Sequence, residues 1–384
     1  MSNGVIQPRL PALTSLRFFA ALHVFVFHLY ADKIGTFTGI AGRIQLIGYV
    51  GVALFFVLSG FILVYVHHDR EMQAGTFYRE RIARIYPAYL FSLLLTLPFY
   101  LFLCLSSKIP EIPLFAFSQH HFAASTAMVV TLTQAWVPNA ALSWNPPAWS
   151  LSVEAFFYLL FPFLVPRLLR WKSRSLAALI PTCWIVSIAA SCAYVWLSPD
   201  GVAHVTDESV NLIWLNVLKF NPLMRLPEFL IGMACGVLYL RGAWNRRWAT
   251  PMILAGVAAF FGVGIASPHI PYPLMHDALL APAFAAIILG LAMRPVWTKW
   301  MEFGPLVLLG NASYSLYLLH GFFLGLYFMP KGDIAAYGFV GMLIGLLLPI
   351  VMAIVVYRFI EEPLRRKLRP KPAATPAVVL AQPA

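Results

Sequence analysis

Leu16-Arg17-Phe18-Phe19-Ala20-Ala21-Leu22-His23-Val24-Phe25-Val26-Phe27-His28 is apolar except at Arg17, His23 and His28. Coiled as a helix at about 100° per residue, the stretch brings His28 to within roughly 20° of the line of Arg17 and about 16 Å farther along the axis. His23 falls well off that line. A cation and a titratable ring aligned in so apolar a helix have two explanations. Either Arg17 snorkels to a membrane interface while His28 is a hydrogen-bonded packing residue, or the two mark a functional path inside the membrane.

The rest of the chain decides the solvent. Its 384 residues are 60% hydrophobic and 11% charged, with a mean hydropathy of +0.77, whereas a soluble domain carries about 25% charged residues. Apolar runs of spanning length recur at 13–31, 47–67, 85–106, 149–168, 176–197, 223–240, 250–267, 276–293, 305–328 and 336–359. The expected fold is therefore all-α: a polytopic integral membrane protein with about ten transmembrane helices. The segment 123–137 is shorter and flecked with polar residues, which suits a re-entrant or interfacial piece. No small-residue cleavage site follows the first run, so it is expected to stay as the first span. Cys104, Cys183, Cys192 and Cys235 lie inside apolar runs without metal-ligand spacing, so they are expected to pack, and no metal site is predicted.

The net charge of +12 is laid out as a topology signal rather than as a groove for nucleic acid. Arg70, Arg79, Arg81 and Arg84 fall in one predicted inner loop, Arg167, Arg170, Lys172 and Arg174 in the next, then Arg241, Arg246 and Arg247, then Arg294 and Lys299. The alternate loops are sparse in such residues. Both termini are expected to be cytoplasmic. The predicted outer segment 107–148, with several prolines and Trp136 and Trp144, is a candidate lid. Two regions result: a transmembrane domain over 1–362, and a tail over 363–384 that is basic, then Pro/Ala-rich, and expected to be disordered.

Several polar groups stand out against this background. Arg81 and Arg84, three residues apart in Phe77–Pro87, would share one helix face and make a fork suited to phosphate or carboxylate, or simply anchor the third span. Trp149-Ser150-Leu151-Ser152-Val153-Glu154 opens the fourth span with a carboxylate about one turn inside it, where it must be paired, protonated or used as a cap. Arg225 and Glu228 can pair along the sixth span, and Gly232 with Gly236 suits close helix packing. Ser313, Tyr314, Ser315 and His320 place hydroxyls and an imidazole in the ninth. With Trp149, Ser150, Arg225 and Glu228 they are candidates for substrate or structural support. Glu361-Glu362-Pro363 reads as a helix terminus and a partner for inner arginines, and His67, His68, His120 and His121 read as surface residues.

Taken together, these motifs resemble the acyltransferase-3 family of bacterial membrane acyltransferases. The resemblance rests on Leu16-Arg17 with His28, Ser59-Gly60-Phe61, Arg81-Ile-Ala-Arg84-Ile-Tyr-Pro87, Trp149 to Glu154, Arg225-Leu-Pro-Glu228-Phe with Gly232, Ser313 to His320, and Glu362-Pro363, in that order along nearly the whole chain. It departs from the family pattern at Phe18, where many members have glycine, and in the extra His23. The resemblance implies about ten helices in the bacterial inner (cytoplasmic) membrane. It also implies transfer of an acyl group, often acetyl, from acyl-CoA to a hydroxyl of a sugar or other acceptor.

Residues and resemblance converge on one expected mechanism. Arg17, Arg81 and Arg84 would hold the polyanionic nucleotide end of acyl-CoA (acetyl-CoA above all) at the cytoplasmic mouth. His28 would act as general base on the acceptor hydroxyl, and Glu154 would orient it. An acyl-histidine intermediate stays open. The expected acceptor is an extracytoplasmic carbohydrate or lipid-linked glycan, such as exopolysaccharide or the O-antigen of lipopolysaccharide, with membrane lipids as surroundings. Alternatives are a small-molecule acceptor such as a macrolide, a non-enzymatic lipid-binding scaffold, or a secondary transporter, although the internal repeats and paired broken helices common in transporters are missing from the sequence.

Overall fold

A bilayer offers no hydrogen bonds to backbone, so each apolar run must satisfy its own N–H and C=O groups, and here they do so as helices. A computed structural model describes residues 9–29, 37–68, 72–106, 109–202, 205–206, 212–327 and 338–370. Its main helices are α1 (Pro11–Leu29), α2 (Gly51–His67), α3 (Ala74–Leu105), α4 (Trp149–Arg170), α5 (Ser173–Leu197), α6 (Pro222–Leu240), α7 (Ala249–Ala266), α8 (Ala281–Ala292), α9 (Gly304–Tyr327) and α10 (Gly338–Val356). The described residues contain no strand. Nine helical segments among them are long and apolar enough to cross a membrane, and ten if one bent pair counts as a single span. That pair contains α8, whose 12 residues reach only about 18 Å of a hydrocarbon core about 30 Å thick. The chain then turns by 94° into Val296–Glu302.

Two boundaries differ from the sequence expectation. α3 begins at Ala74 rather than near 85, so Arg81 and Arg84 stand on a helix and not in a loop. Pro87 sits inside α3, whose preceding turns bury Phe77, Ala83 and Ile85. The expected tail from 363 also starts as helix: Tyr357–Glu361 is a π-helical turn that leads into a further helix, Glu362–Leu368, while residues 371–384 lie outside the described part. His67 is buried, not superficial, donating through Nδ1 to the Leu63 carbonyl at 3.0 Å and facing Glu80 at 3.6 Å. The segment 123–137 makes no crossing. Phe122–Val130 is a short helix lying on α3, where Ser125 meets the Tyr100 hydroxyl at 2.7 Å and the Val129 carbonyl accepts from Tyr89 at 2.6 Å.

Without a hydrophobic drive between helices in lipid, close packing decides which of them meet. α2 and α6 meet where both lack a side chain. A Cβ on Gly60 would run into the Phe229 carbonyl, and one on Gly232 into the Val57 carbonyl. Gly310 of α9 likewise lies against the Thr14 carbonyl of α1. Gly51 of α2 faces Val24 and the Ala20 carbonyl of α1 in the same way, so α1, α2 and α9 come together, with α3 and α4 completing the cavity wall. Replacing Gly232 with valine should separate α2 from α6 and cost about 1–3 kcal/mol. Thermal unfolding in detergent measures this, and an unchanged midpoint would show that the contact is not tight.

Candidate functional site

Between these helices lies a cavity of about 140 Å³ that gathers polar groups from five of them. α1 contributes Arg17, α2 Ser59, α3 Arg81 and Arg84, α4 Ser150, Glu154 and Tyr158, and α9 Ser313, Tyr314 and Tyr317. Residues up to 300 positions apart therefore meet by helix packing alone, since Arg17 and Tyr317 share one wall.

The three arginines are held differently. Arg84 pairs with the fully buried Glu361 at 3.2 Å, and the other oxygen of Glu361 accepts from Ser315 at 2.8 Å. The expectation that the Glu361-Glu362 pair serves inner arginines is met: Glu361 takes Arg84, and Glu362 takes Arg366 at 2.6 Å as well as Arg365. Arg81 lies over the rings of Phe77 and Tyr158 at 5.4 and 5.8 Å. Among the described residues its one carboxylate contact, Glu80 at 3.9 Å, is shared with His67 and Arg369, and its buried Nε has no hydrogen-bond partner. Arg17 is half-buried and has no carboxylate within ion-pair distance among the described residues. A guanidinium stationed in a low-dielectric bundle without a counter-ion favours an anion from outside the protein.

Tyr314, half of the aromatic roof over Arg84, donates to the Ile85 carbonyl at 3.0 Å and so ties α9 to α3. Ser313 lines the cavity while donating to Gly310 of its own helix at 2.7 Å. Ser150 donates to the Tyr317 hydroxyl at 2.9 Å and is also within reach of the Pro147 carbonyl at 3.1 Å. Trp149 packs against Phe56 and Phe220 with ring centroids 6.1 and 4.9 Å away, outside the cavity.

Along α1 the structure keeps the alignment expected from the sequence. Arg17 faces the cavity, whereas His23 points elsewhere, donating to the Ile44 carbonyl at 2.7 Å with its ring on Phe260. His28 donates from Nδ1 to the Val24 carbonyl at 2.9 Å, and its ring centroid lies 5.0 Å from that of His320. Glu154 sits elsewhere, accepting from Ser59 at 3.1 Å within the arginine cavity. The depth is set by α9: Gly321, next to His320, lies level with Asn145 and Pro147, and Glu154 is seven residues, roughly 10 Å, farther along α4. The expected Glu154–His28 pair gives way to a His28–His320 pair, with the carboxylate left among the arginines.

Arg225 and Glu228 form a separate buried cluster. Arg225 bonds Glu228 at 3.0 Å, Asp277 at 3.3 Å and the His276 carbonyl at 2.9 Å, and Ser191 donates to Asp277 at 3.1 Å. None of these lines the cavity. They serve to lock α6 to α5 and to the turn before α8. Sequence reasoning missed Asp277, Tyr158 and Tyr317. A lone aspartate directly before an apolar run was the available signal for the first; the tyrosines are indistinguishable from packing residues until α4 and α9 are brought together.

The comparisons with known proteins bear on the same residues. The family described as an acyltransferase domain matches residues 10–358. The chain is 29% identical over 334 residues to the acyltransferase MdmB of Streptomyces mycarofaciens, covering 81% of this chain and 78% of that one. It is 26% identical to the O-acetyltransferase OatA of Staphylococcus aureus, over 94% of this chain and 58% of the relative. With a putative peptidoglycan O-acetyltransferase, YrhL of Bacillus subtilis, the identity is 24% over 93% of this chain and 55% of the relative. The chain thus spans little more than half the length of the last two. No solved structure matches it. A match running from just before α1 to the π-helical turn after α10 takes in every wall of the cavity, and the chain belongs to the acyltransferase family as a many-helix membrane member.

Proposed function

We propose that the protein is an O-acetyltransferase of the bacterial inner membrane that moves an acetyl group from cytoplasmic acyl-CoA to a hydroxyl of an extracytoplasmic carbohydrate. The observation that carries this reading is the cavity itself: three guanidiniums line it with a single carboxylate, Glu154, while Glu361 outside the lining pairs with Arg84 and Arg17 has no ion-pair partner among the described residues. The phosphates of the donor supply the missing negative charge. The bias of basic residues toward alternate loops supports a cytoplasmic position for that end of the bundle, on the side of an acyl-CoA donor. From Arg17 to His28 the helix rises about 16 Å, a length suited to an extended pantetheine arm. The printed names of the relatives from Staphylococcus aureus and Bacillus subtilis favour acetyl as the group and, for the latter, a glycan as acceptor.

The chemistry follows from the tautomer of His28. A carbonyl oxygen only accepts, so Nδ1 carries the proton toward Val24 and, in the neutral ring, Nε2 holds the lone pair. Nε2 takes the proton of the acceptor hydroxyl as its oxygen attacks the thioester carbon. The C–O bond forms, the C–S bond breaks, and the imidazolium returns the proton to the departing thiolate. Glu154, fixed by Ser59, acts in this scheme as counter-charge in the arginine cavity rather than at the histidine.

Arg17→Ala and Arg81→Ala should each raise KM for acetyl-CoA by roughly 10- to 100-fold, the worth of a charge-assisted hydrogen bond of about 1.5–3 kcal/mol, and lower kcat much less. Initial rates of CoA release from reconstituted protein measure this. A KM left at the parent value in both variants would remove the donor from this cavity.

A further inference from the structure

His320 carries an acceptor atom that the mechanism above does not use. Its side chain is 1% exposed. Nδ1 donates to the Tyr317 carbonyl at 2.5 Å, so the neutral ring bears its lone pair on Nε2, and among the described residues Nε2 has no hydrogen-bond partner. The ring is fixed in place by Tyr317 at 5.5 Å and Phe25 at 6.3 Å, and it lies 5.0 Å from His28 at an interplanar angle of 36°. Both rings hand their Nδ1 proton to their own helix, Val24 on α1 and Tyr317 on α9. A neutral imidazole anchored as His320 is presents a hydrogen-bond acceptor, not a donor, on its other nitrogen. A buried acceptor left unfilled is destabilising, and a partner that fills it must bring an O–H or N–H of its own.

We propose that His320 Nε2 receives a second hydroxyl of the acceptor, next to the one His28 deprotonates, so that the site selects acceptors with two adjacent hydroxyls, as on a sugar ring. This rests on His28 as the base and adds the class of acceptor. His320 is then a positioning residue: it moves no proton, and it fixes which of two neighbouring oxygens lies at His28 Nε2. A site built to hydrogen-bond a substrate hydroxyl discriminates strongly against the analogue that lacks it, because its own polar atom is then left unpaired.

The test uses the full chain in nanodiscs with radiolabelled acetyl-CoA and two rigid probes, cis-1,2-cyclohexanediol and cyclohexanol. The wild type should acetylate the diol with a kcat/KM about tenfold or more above that for the mono-alcohol, equivalent to about 1.4 kcal/mol. His320→Phe, which keeps an aromatic ring and drops the acceptor, should bring the ratio close to one with KM for acetyl-CoA unchanged. His320→Gln, whose amide oxygen can accept, should recover part of the preference. The proposal is overturned by a wild type that shows no preference, turnover of neither probe included, or by a preference that survives in His320→Phe. It is equally overturned if His320→Phe slows both probes while leaving their ratio intact, which assigns His320 to proton transfer or to packing. Should a variant fail to insert, the wild-type ratio decides alone. His28→Ala separates the two readings. If it keeps transferring while the diol ratio behaves as expected, the assignment of the base fails and the subsite stands.

Discussion

Replacing His28 with alanine should lower acyl transfer by about 10²–10⁴-fold, the range for losing a positioned general base, while the protein still inserts and still binds acetyl-CoA. The expectation follows from separation. His28 lies at the far end of α1 from Arg17, beside His320 and away from the arginine cavity, so its removal touches neither the donor's phosphates nor the packing around Gly310 and Thr14. Its Nδ1 hydrogen bond runs to the Val24 carbonyl of its own helix. kcat should therefore fall with KM for acetyl-CoA near its parent value. Acetyl transfer within threefold of the parent would end the role of His28 as base.

The second large effect concerns stability. Arg225→Met should destabilise the fold by about 3–5 kcal/mol, because removing one partner of a buried ion pair strands the other. Arg225 is 1% exposed and holds both Glu228, at 0%, and Asp277, at 2%, so two carboxylates would be stranded at once. Arg225→Lys should recover little. An ammonium has no planar fork with which to reach Glu228, Asp277 and the His276 carbonyl together. The triple variant Arg225→Met, Glu228→Gln, Asp277→Asn should regain much of the loss, since no charge is then left in the core. Unfolding midpoints in detergent distinguish these cases. If the single variant unfolds with the parent, the cluster is not what joins α6 to the turn before α8.

Much of this site was legible along the chain and some of it was not, and the division follows helix periodicity. The relation of Arg17, His23 and His28 is a property of one helix, and the structure keeps it: cavity, Ile44 and His320 lie on the sides that 3.6 residues per turn assigns. The fork of Arg81 and Arg84 and the service of Glu361 to an arginine were visible for the same reason, as local spacing plus a charge at a helix end. The start of α3 was not legible because Arg79, Glu80, Arg81 and Arg84 make its first turns polar and Pro87, a residue disfavoured in helix interiors, sits inside it. What a single sequence does not contain is which helices pack together. The Ser59–Glu154 bond joins α2 to α4 and the Arg225–Asp277 pair joins α6 to the turn before α8, both across long stretches of chain. Placing Glu154 beside His28 assumed that two groups near helix ends share a depth. The level of Gly321 against Pro147 shows that they do not.

The central claim is that acetyl groups pass covalently from a donor at the arginine cavity to an acceptor beyond His28. The direct measurement supplies labelled acetyl-CoA to the cytoplasmic face of inside-out membrane vesicles and follows the label into glycan isolated from their lumen. Ester-linked label on the glycan, released by mild base and missing from vesicles carrying His28→Ala, is the predicted result. Label that stays on acetyl-CoA or accumulates as free solute, or ester formed equally by His28→Ala, would contradict it.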